Sequence, residues 1–508
     1  MATMLSILSL VLGLLSFQAI AVPTPFHPRD VSPALPNQRA LQNEIGRSLS
    51  KKAALYFPGQ PEYKNLTTRW AENISPGFFV TVEVGTEDDV ATTVKFARKY
   101  NIDFLAISRG HGTTKTLSTV KNGIQINLRQ LQEITVAADG KTATLGGGVY
   151  NDNVVNALHA KGKSSGSGAA GCVGLVGAGL GGGYGRYEGF YGLVLDNIID
   201  MNVIMADGSK KFVSATSNPD LYWAMRGAGH NFGIVTKLTY RIHDEISPTW
   251  YLNTMIFKQD KIQPVFKQLN KLIANGTMPA RVINYALFAF NPNISTTEPV
   301  ITINIFYVGS AQDAKPYVQP FLDLKPVSTR SFTTSYPDIF YAAGTGLNDF
   351  VCQEPIGSAY LYPMGLQTYN VPVIAQLFQL YADKVKSNPD FSGSNVMLEG
   401  YSLGAVKAVD PASTAFAHRD DNILVGFLPR WTPGANLERE AEEWGTKART
   451  LVQSGTNGRP LSAYVNYAHG DEPLEAVYGY EPWRLARLRK LKKRYDPDFK
   501  FRFYNPIR

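Results

Sequence analysis

Chemistry needs groups that can approach a ligand, and several stretches of this sequence could supply them. Ser108-Arg109-Gly110-His111-Gly112 puts a histidine between two glycines, directly after the apolar run Phe104-Leu105-Ala106-Ile107. A lone histidine is ordinarily structural, but one flanked by glycines at a strand end can approach a ligand closely. Residues Gly162 to Gly192 hold 13 glycines in 31 positions. Backbone without Cβ atoms can fold its amides into anion-binding nests. The tract also carries Val173, Leu175, Val176, Leu180, Tyr184, Tyr187, Phe190 and Tyr191. A flexible linker lacks such residues, so a structured, ligand-facing loop is expected. Cys172 lies inside this tract, and the other cysteine is Cys352. Two cysteines permit one disulfide or two buried thiols, and exclude a disulfide framework. Glu399 follows the apolar Val396-Met397-Leu398. It could project into a pocket, where burial would raise its pKa toward proton transfer, or stand exposed at a strand end.

Three patterns in the glycine tract are misleading. Gly177-Ala178-Gly179-Leu180-Gly181-Gly182 matches G-x-G-x-x-G, with Asp196 near the expected distance. A dinucleotide fingerprint needs a strand before it and a helix after it, and Gly183-Tyr184-Gly185 is a poor helix start. Gly162-Lys163-Ser164 resembles the end of a P-loop, but Ala157 occupies the first glycine position. Gly162-Lys163-Ser164-Ser165-Gly166 matches a nucleophile elbow but follows a helical stretch rather than a strand. The seven histidines are scattered, and no His/Cys/carboxylate grouping has metal-ligand spacing.

The elements that must position these groups fall into blocks. Alternating, β-branched or apolar runs predict strands at Phe78–Val84, Phe104–Ile107, Ile124–Leu128, Thr142–Leu145, Met201–Ala206 and Ile234–Ile242. Helices are predicted from Glu87 and from Val149. This α+β block spans residues 48–243. Residues 244–455 read as a second domain, an antiparallel sheet with helices, and residues 456–508 as a C-terminal element. At 508 residues with 44% hydrophobic content, the chain can bury a large core. The net charge of +8 is local: Arg484 to Arg508 holds ten Lys/Arg against two acids. No electrostatic funnel for nucleic acid results, and the basic residues of this terminal helix are expected to make a solvated outer face. Leu5–Leu15 followed by Ala19-Ile20-Ala21 reads as a signal peptide over residues 1–21, with an arm over 22–47. Acceptor sequons at Asn65, Asn73, Asn275 and Asn293 agree with export. No stable membrane insertion is expected.

Taken in order, these motifs resemble the vanillyl-alcohol-oxidase-type FAD-binding domain followed by a berberine-bridge-enzyme-like C-terminus. The resemblance runs from Pro76-Gly77 and Glu87-Asp88-Asp89-Val90, through Ser108–Gly112, Gly171–Gly185, Tyr191-Gly192-Leu193 and Asp196-Asn197. It continues in Ala206-Asp207-Gly208, Leu221–Gly227 and Asn231-Phe232-Gly233, then Tyr464-Val465-Asn466-Tyr467 and Tyr495–Phe503. It covers nearly the whole mature chain. What it implies is an α+β flavoprotein holding FAD. Arg109, Gly110, Gly112, Gly177, Gly181, Gly182, Gly183, Tyr184, Gly185 and Asn466 would line the cofactor, and His111 would tether it through the flavin 8α-methyl group. The 61-residue separation of His111 and Cys172 resembles two-tether members, which implies a second link from Cys172. A Cys172–Cys352 disulfide is the alternative.

The resemblance also implies the catalytic set. Tyr467 is the leading general base, with Arg109, His230 and His418 as possible cationic neighbours. Glu399 is the runner-up, and His418 lies in an echo of the family's Phe-Pro-His-Arg turn. This chain departs from the family in Arg109-Gly110-His111, where Gly-Gly-His is usual. It departs again at His230, where glycine is usual, and at Gly426, where plant relatives place Gln or Glu. The activity implied is that of a secreted oxidase: a small-molecule substrate gives hydride to FAD, and molecular oxygen reoxidises it to yield hydrogen peroxide. Secreted fungal relatives oxidise oligosaccharides or tailor secondary metabolites, and the aromatic richness of the second domain favours the latter. A redox-neutral cyclase or isomerase on the same scaffold, or a cofactor-free binding protein or hydrolase, are the rivals.

Overall fold

Short β-branched runs and amphipathic helices sort into three large sheets and two two-stranded ones in the computed structural model, which describes residues 38–295 and 297–508. The predicted signal peptide and most of the arm lie outside the described residues. The first sheet has four strands in the order Ala54–Tyr56, Phe78–Glu83, Gly123–Asn127, Phe104–Ile107, the last three mutually parallel. Helix Glu87–Lys99 covers it. The helix starts with a capping box in which Thr86 and Asp89 satisfy each other's amides. The second sheet has five antiparallel strands in the order Ile134–Val136, Thr142–Gly146, Ile234–Arg241, Ile198–Ile204, Lys210–Ser214.

The third sheet is antiparallel and has seven strands. Their order is Ser328–Thr334, Trp250–Phe257, Val300–Val308, Val282–Ala289, Asn395–Gly400, Ile423–Leu428, Tyr362–Leu366. Its two faces differ, as strand alternation requires. One face buries Ile303, Ile305, Ala286, Phe288 and Leu398 under helices Ile262–Leu272, Ala311–Leu322, Val371–Ser387 and Glu438–Ser454. The other places Leu252, Phe306, Ile283 and Leu424 against Tyr184, Tyr187, Leu193 and Leu195 of the glycine tract. The tract is therefore the seam between the FAD-type block and the large sheet.

The C-terminal helix Pro482–Tyr495 returns to the first block. Its basic residues do not all make the solvated face expected of them. Arg484 and Lys492 are buried: Arg484 bonds the carbonyls of Thr414 and Pro411, and Lys492 bonds Asp496 and the carbonyls of Asn231 and Phe501. Among the described residues no helix is long and apolar enough to cross a membrane, and no group of His, Cys, Asp and Glu could hold a metal ion.

Candidate active site

The site begins where strand Phe104–Ile107 ends. Gly110 turns the chain at φ 81°, a conformation that costs glycine little, and His111 follows. Its ring is buried, and neither ring nitrogen has a hydrogen-bond partner. Burial, with Arg69, Arg129 and Arg109 nearby, pulls its pKa down to about 3, so the imidazole is neutral and keeps a lone pair. Arg69 donates to the Gly112 carbonyl at 2.8 Å, Arg129 donates to the Ser108 carbonyl at 3.3 Å, and Arg109 stacks 3.9 Å from the Tyr150 ring centroid.

This corner can take an anionic, oxygen-rich group. Among the described residues, the amides of Gly110 to Thr113 donate to no protein acceptor. The buried Ser108 and Thr113 hydroxyls and the Nε atoms of Arg69 and Arg109 are also without partners. Buried donors left unmade are costly, and a phosphate-bearing cofactor would satisfy several at once. Gly177, at the nearby turn of helix Leu175–Leu180, faces open space where a Cβ would stand. These features fit FAD.

Other glycines of the tract serve a different purpose from the one expected. A Cβ on Gly181 would lie 2.3 Å from Asn466 Oδ1, on Gly182 2.9 Å from the Phe416 ring, and on Gly183 2.4 Å from Val194. On Gly185 it would sit 1.6 Å from the Ser167 carbonyl oxygen. These four are glycines because protein atoms crowd them. Gly112 likewise makes room for Tyr504, 2.7 Å away. Asn466 clamps the tract: its amide donates to the Ala178 carbonyl at 2.8 Å and to the Tyr464 hydroxyl at 2.6 Å. The G-x-G pattern itself lies on the short helix Leu175–Leu180, and the next helix, Glu188–Tyr191, starts five residues beyond Gly183.

Cys172 is bonded to Cys352, which corrects the expected second tether. A sulfur held in a disulfide is not the thiolate that attack on a flavin requires. The bridge joins the glycine tract to the segment after helix Tyr336–Ala342. Trp70 Nε1 also grips that segment through the Val351 carbonyl at 2.9 Å. Glu354 on the same segment approaches His111 Nδ1 to 3.9 Å and Arg129 to 3.4 Å.

Across the seam, Glu399 stands on strand Asn395–Gly400, in register with Tyr285 and Leu424 on the neighbouring strands. The Tyr467 hydroxyl lies 3.3 Å from one carboxylate oxygen and 3.4 Å from the other. The Tyr401 hydroxyl is also at 3.3 Å. Both base candidates therefore share one site, but burial acts on them differently. It pushes Glu399 up to about 7, although hydrogen bonds from Tyr401 and Tyr467 and the Arg186 charge hold it down. Burial and the Glu399 charge push Tyr467 well above the ordinary tyrosine range. The cationic neighbours that Tyr467 needed as a base are engaged elsewhere. Arg109 is on Tyr150, and His230 bonds the Gly177 carbonyl at 2.9 Å with its pKa lowered to about 4 by burial.

His418, expected in the catalytic set, is a structural tie. Its Nε2 meets the Val477 carbonyl at 2.9 Å and its Nδ1 the Ser462 hydroxyl at 2.7 Å. Tyr184 donates to the His418 carbonyl at 3.2 Å, and its ring packs against Tyr401, Tyr464 and Phe416. It forms the aromatic wall between tract and carboxylate. Gly426 lies on the same sheet face, and the Tyr467 ring comes 3.6 Å from where its Cβ would be. The sequence reading missed Arg69, Arg129, Glu354, Arg186 and Tyr401. Only Tyr401 carried a signal, two residues beyond Glu399 and hence on the same side of an extended chain.

Fold and site together define a flavoprotein built on the vanillyl-alcohol-oxidase-type architecture. The family described as "FAD binding domain" matches residues 79–214, and that described as "Berberine and berberine like" matches residues 463–508. The FAD-linked oxidoreductase anuG of Penicillium roqueforti is 40% identical over 469 residues, 92% of each chain. Among solved structures, chitooligosaccharide oxidase superposes with a TM-score of 0.79 at 21% identity, over 92% of this chain and 99% of that one. Glucooligosaccharide oxidase from Acremonium strictum, described with a 6-S-cysteinyl, 8α-N1-histidyl FAD, gives 0.74 at 20% identity, over 90% and 98%. The chain belongs to the FAD-linked oxidoreductases, and FAD is its cofactor.

Proposed function

We propose that this oxidoreductase is an exported, oxygen-dependent oxidase of a small molecule, with FAD tethered through His111. The observation that carries the reading is the buried Glu399, hydrogen-bonded by Tyr467 and Tyr401 on the sheet face that meets the glycine tract. A pKa pushed up to about 7 suits a general base near neutrality. Glu399 takes the proton from the substrate's O–H or N–H, and the two tyrosine hydroxyls orient the carboxylate and stabilise its charge. FAD, when bound, supplies the two-electron acceptor that molecular oxygen regenerates with release of hydrogen peroxide. The neutral His111 has the free lone pair a tether needs, as in the histidyl FAD of the Acremonium enzyme.

The face around Glu399 presents Tyr285, Leu287, Thr302, Asn304 and Met397, all half-buried. This mixed, largely uncharged surface supports a secondary-metabolite intermediate over a sugar polymer. Export is supported by the apolar leader, by the disulfide and by sequons at Asn65, Asn275 and Asn293 that stand exposed. Asn73 does not qualify as a glycan site, because its Oδ1 accepts from the Ala359 amide and its Nδ2 is buried.

One observation favours a redox-neutral cyclase or isomerase as the second reading: a carboxyl poised near 7 donates a proton as readily as it accepts one. Peroxide measurement with the substrate separates the two. The test of the tether is acid precipitation. Wild-type protein should stay yellow in the pellet and His111→Ala should release all its flavin; complete release from wild type would refute the tether.

A further inference from the structure

Arg186 is a charge without a contacting counter-charge. Its side chain is wholly buried on the glycine tract, and a guanidinium stays protonated in proteins. Nη2 donates to the Thr345 hydroxyl at 3.2 Å, while Nε and Nη1 have no partner. Among the described residues no acid lies within ion-pair distance of it. The group is packed among rings instead, with the Phe306, Phe340 and Tyr285 centroids 4.9, 5.0 and 5.7 Å from Cζ. Glu399 has the opposite lack. It is 9% exposed and takes its hydrogen bonds from the Tyr401 and Tyr467 hydroxyls, with no cation at ion-pair distance among the described residues. One ring connects the two groups. Tyr285 stands on the strand between those that carry Phe306 and Glu399, and it pairs with Glu399 in register. A buried charge left alone is costly, and an aromatic interior screens charge far less than solvent does.

We propose that Arg186 and Glu399 form a separated ion pair across the seam, with Arg186 the positioning residue that keeps the base ionised. The inference rests on the reading of Glu399 as the base. The titratable and charged groups facing Glu399 are Tyr401 just beyond its own strand, Tyr285 on the neighbouring strand, Tyr467 of the C-terminal element, and Glu188 and Arg186 of the tract. Leu424, its partner on the other side, carries no charge. Burial pushes the three tyrosines above the ordinary range and Glu188 well above the usual carboxyl range, so all four are neutral. Arg186 is then the one charge that favours carboxylate over carboxylic acid. Without it the proton-donor form would gain, and the site would suit acid rather than base chemistry. The charge that selects between the two comes from the FAD-type block, and the group it acts on comes from the large sheet.

The experiment follows the protonated-carboxyl C=O band of Glu399 in pH-difference infrared spectra of the holoenzyme, assigned by its loss in Glu399→Gln. Wild type should lose the band as pH rises through about 7. Arg186→Met and Arg186→Gln should both move that midpoint up by about one pH unit, and Arg186→Lys should hold it near the wild-type value. Chemical denaturation of Arg186→Met, Glu399→Gln and the double variant gives a second readout. Burial holds Glu399 above its unfolded pKa, so ionising it costs the fold stability as pH rises. Arg186 offsets that cost only where Glu399 is ionised. Above about pH 7 the double variant should therefore lose less than the two single losses added together, and well below it the losses should add. If Arg186→Met alone does not fold, a double variant that folds supports the pair, and one that also fails overturns it. Unchanged midpoints in both uncharged variants overturn the proposal and leave Glu399 as the base. A shift in Arg186→Lys equal to that in Arg186→Met overturns it in favour of a structural guanidinium. A wild-type band that does not titrate near 7 sinks the base reading and this proposal together.

Discussion

The two walls of the site are built from different materials. The wall around His111 and the glycine tract is mostly backbone: free amides, a positive-φ turn at Gly110, and glycines that let other segments press close. The wall on the large sheet is side chains, with Glu399 and Tyr285 brought together by strand register and Tyr401 and Tyr467 hydrogen-bonded to Glu399. Backbone sites tolerate no added carbon where protein already fills the space. Side-chain sites accept changes of shape but not of the titrating group. The first wall fits a cofactor common to many proteins, and the second is particular to this chain's side chains.

Breaking the side-chain wall should have the largest kinetic effect. Glu399→Gln keeps volume and removes the base, so flavin reduction by substrate should slow about 100- to 10,000-fold with bound flavin unchanged. Stopped-flow absorbance reads both. In wild type the rate should fall as pH drops through about 7, where Glu399 takes up its proton. The protonated form cannot act as the base, so the loss lies on the acid side.

Breaking the backbone wall should instead affect folding. Gly185→Ala puts a Cβ 1.6 Å from the Ser167 carbonyl oxygen, an overpacking that costs about 1–3 kcal/mol or more. Chemical denaturation and soluble yield test it, and an unchanged midpoint would mean the tract has room to give.

Cys352→Ser cuts the covalent bond between the walls. Releasing a bridge that spans 180 residues should cost about 2–4 kcal/mol. A non-reducing peptide map of wild type should show the Cys172–Cys352 linked peptide. Flavin found on Cys172 instead would restore the second tether and remove the covalent bond between the walls.

Tyr467→Phe is the finest probe. Without its hydrogen bond the Glu399 carboxylate is less stabilised, so the acid limb should move to higher pH with a rate loss of about tenfold. If this variant loses all activity while Glu399→Gln keeps it, the roles of the two residues are reversed.

Much of the backbone wall could be read in the sequence, because its chemistry dictates residue type. Close approach demands glycine, and glycine clusters are visible without a structure. The reading nevertheless gave Gly181 to Gly185 to the cofactor, when Asn466, Phe416, Val194 and Ser167 are what they accommodate. A missing Cβ announces proximity but not to what. Helices Ile262–Leu272 and Ala311–Leu322 and strand Ser328–Thr334 were not anticipated. The second of these helices carries Pro316 and Pro320, and residues that usually break helices masked it.

By itself the sequence determined the order of blocks, the tight turn at His111 and an acid at the end of an apolar strand at position 399, because periodicity and glycine content are local properties. Only the tertiary structure decided which of the two candidate bases is brought near neutrality, where the cysteines go and what His418 bonds. Tyr467 and Glu399 are 68 residues apart and Cys172 and Cys352 are 180 apart. Their protonation and bonding depend on burial and on neighbours supplied by other strands. Solvent exclusion raises both pKa values, and it brings the carboxyl to about 7 while taking the phenol further above neutrality. That is a property of the packed interior, and no spacing along the chain encodes it.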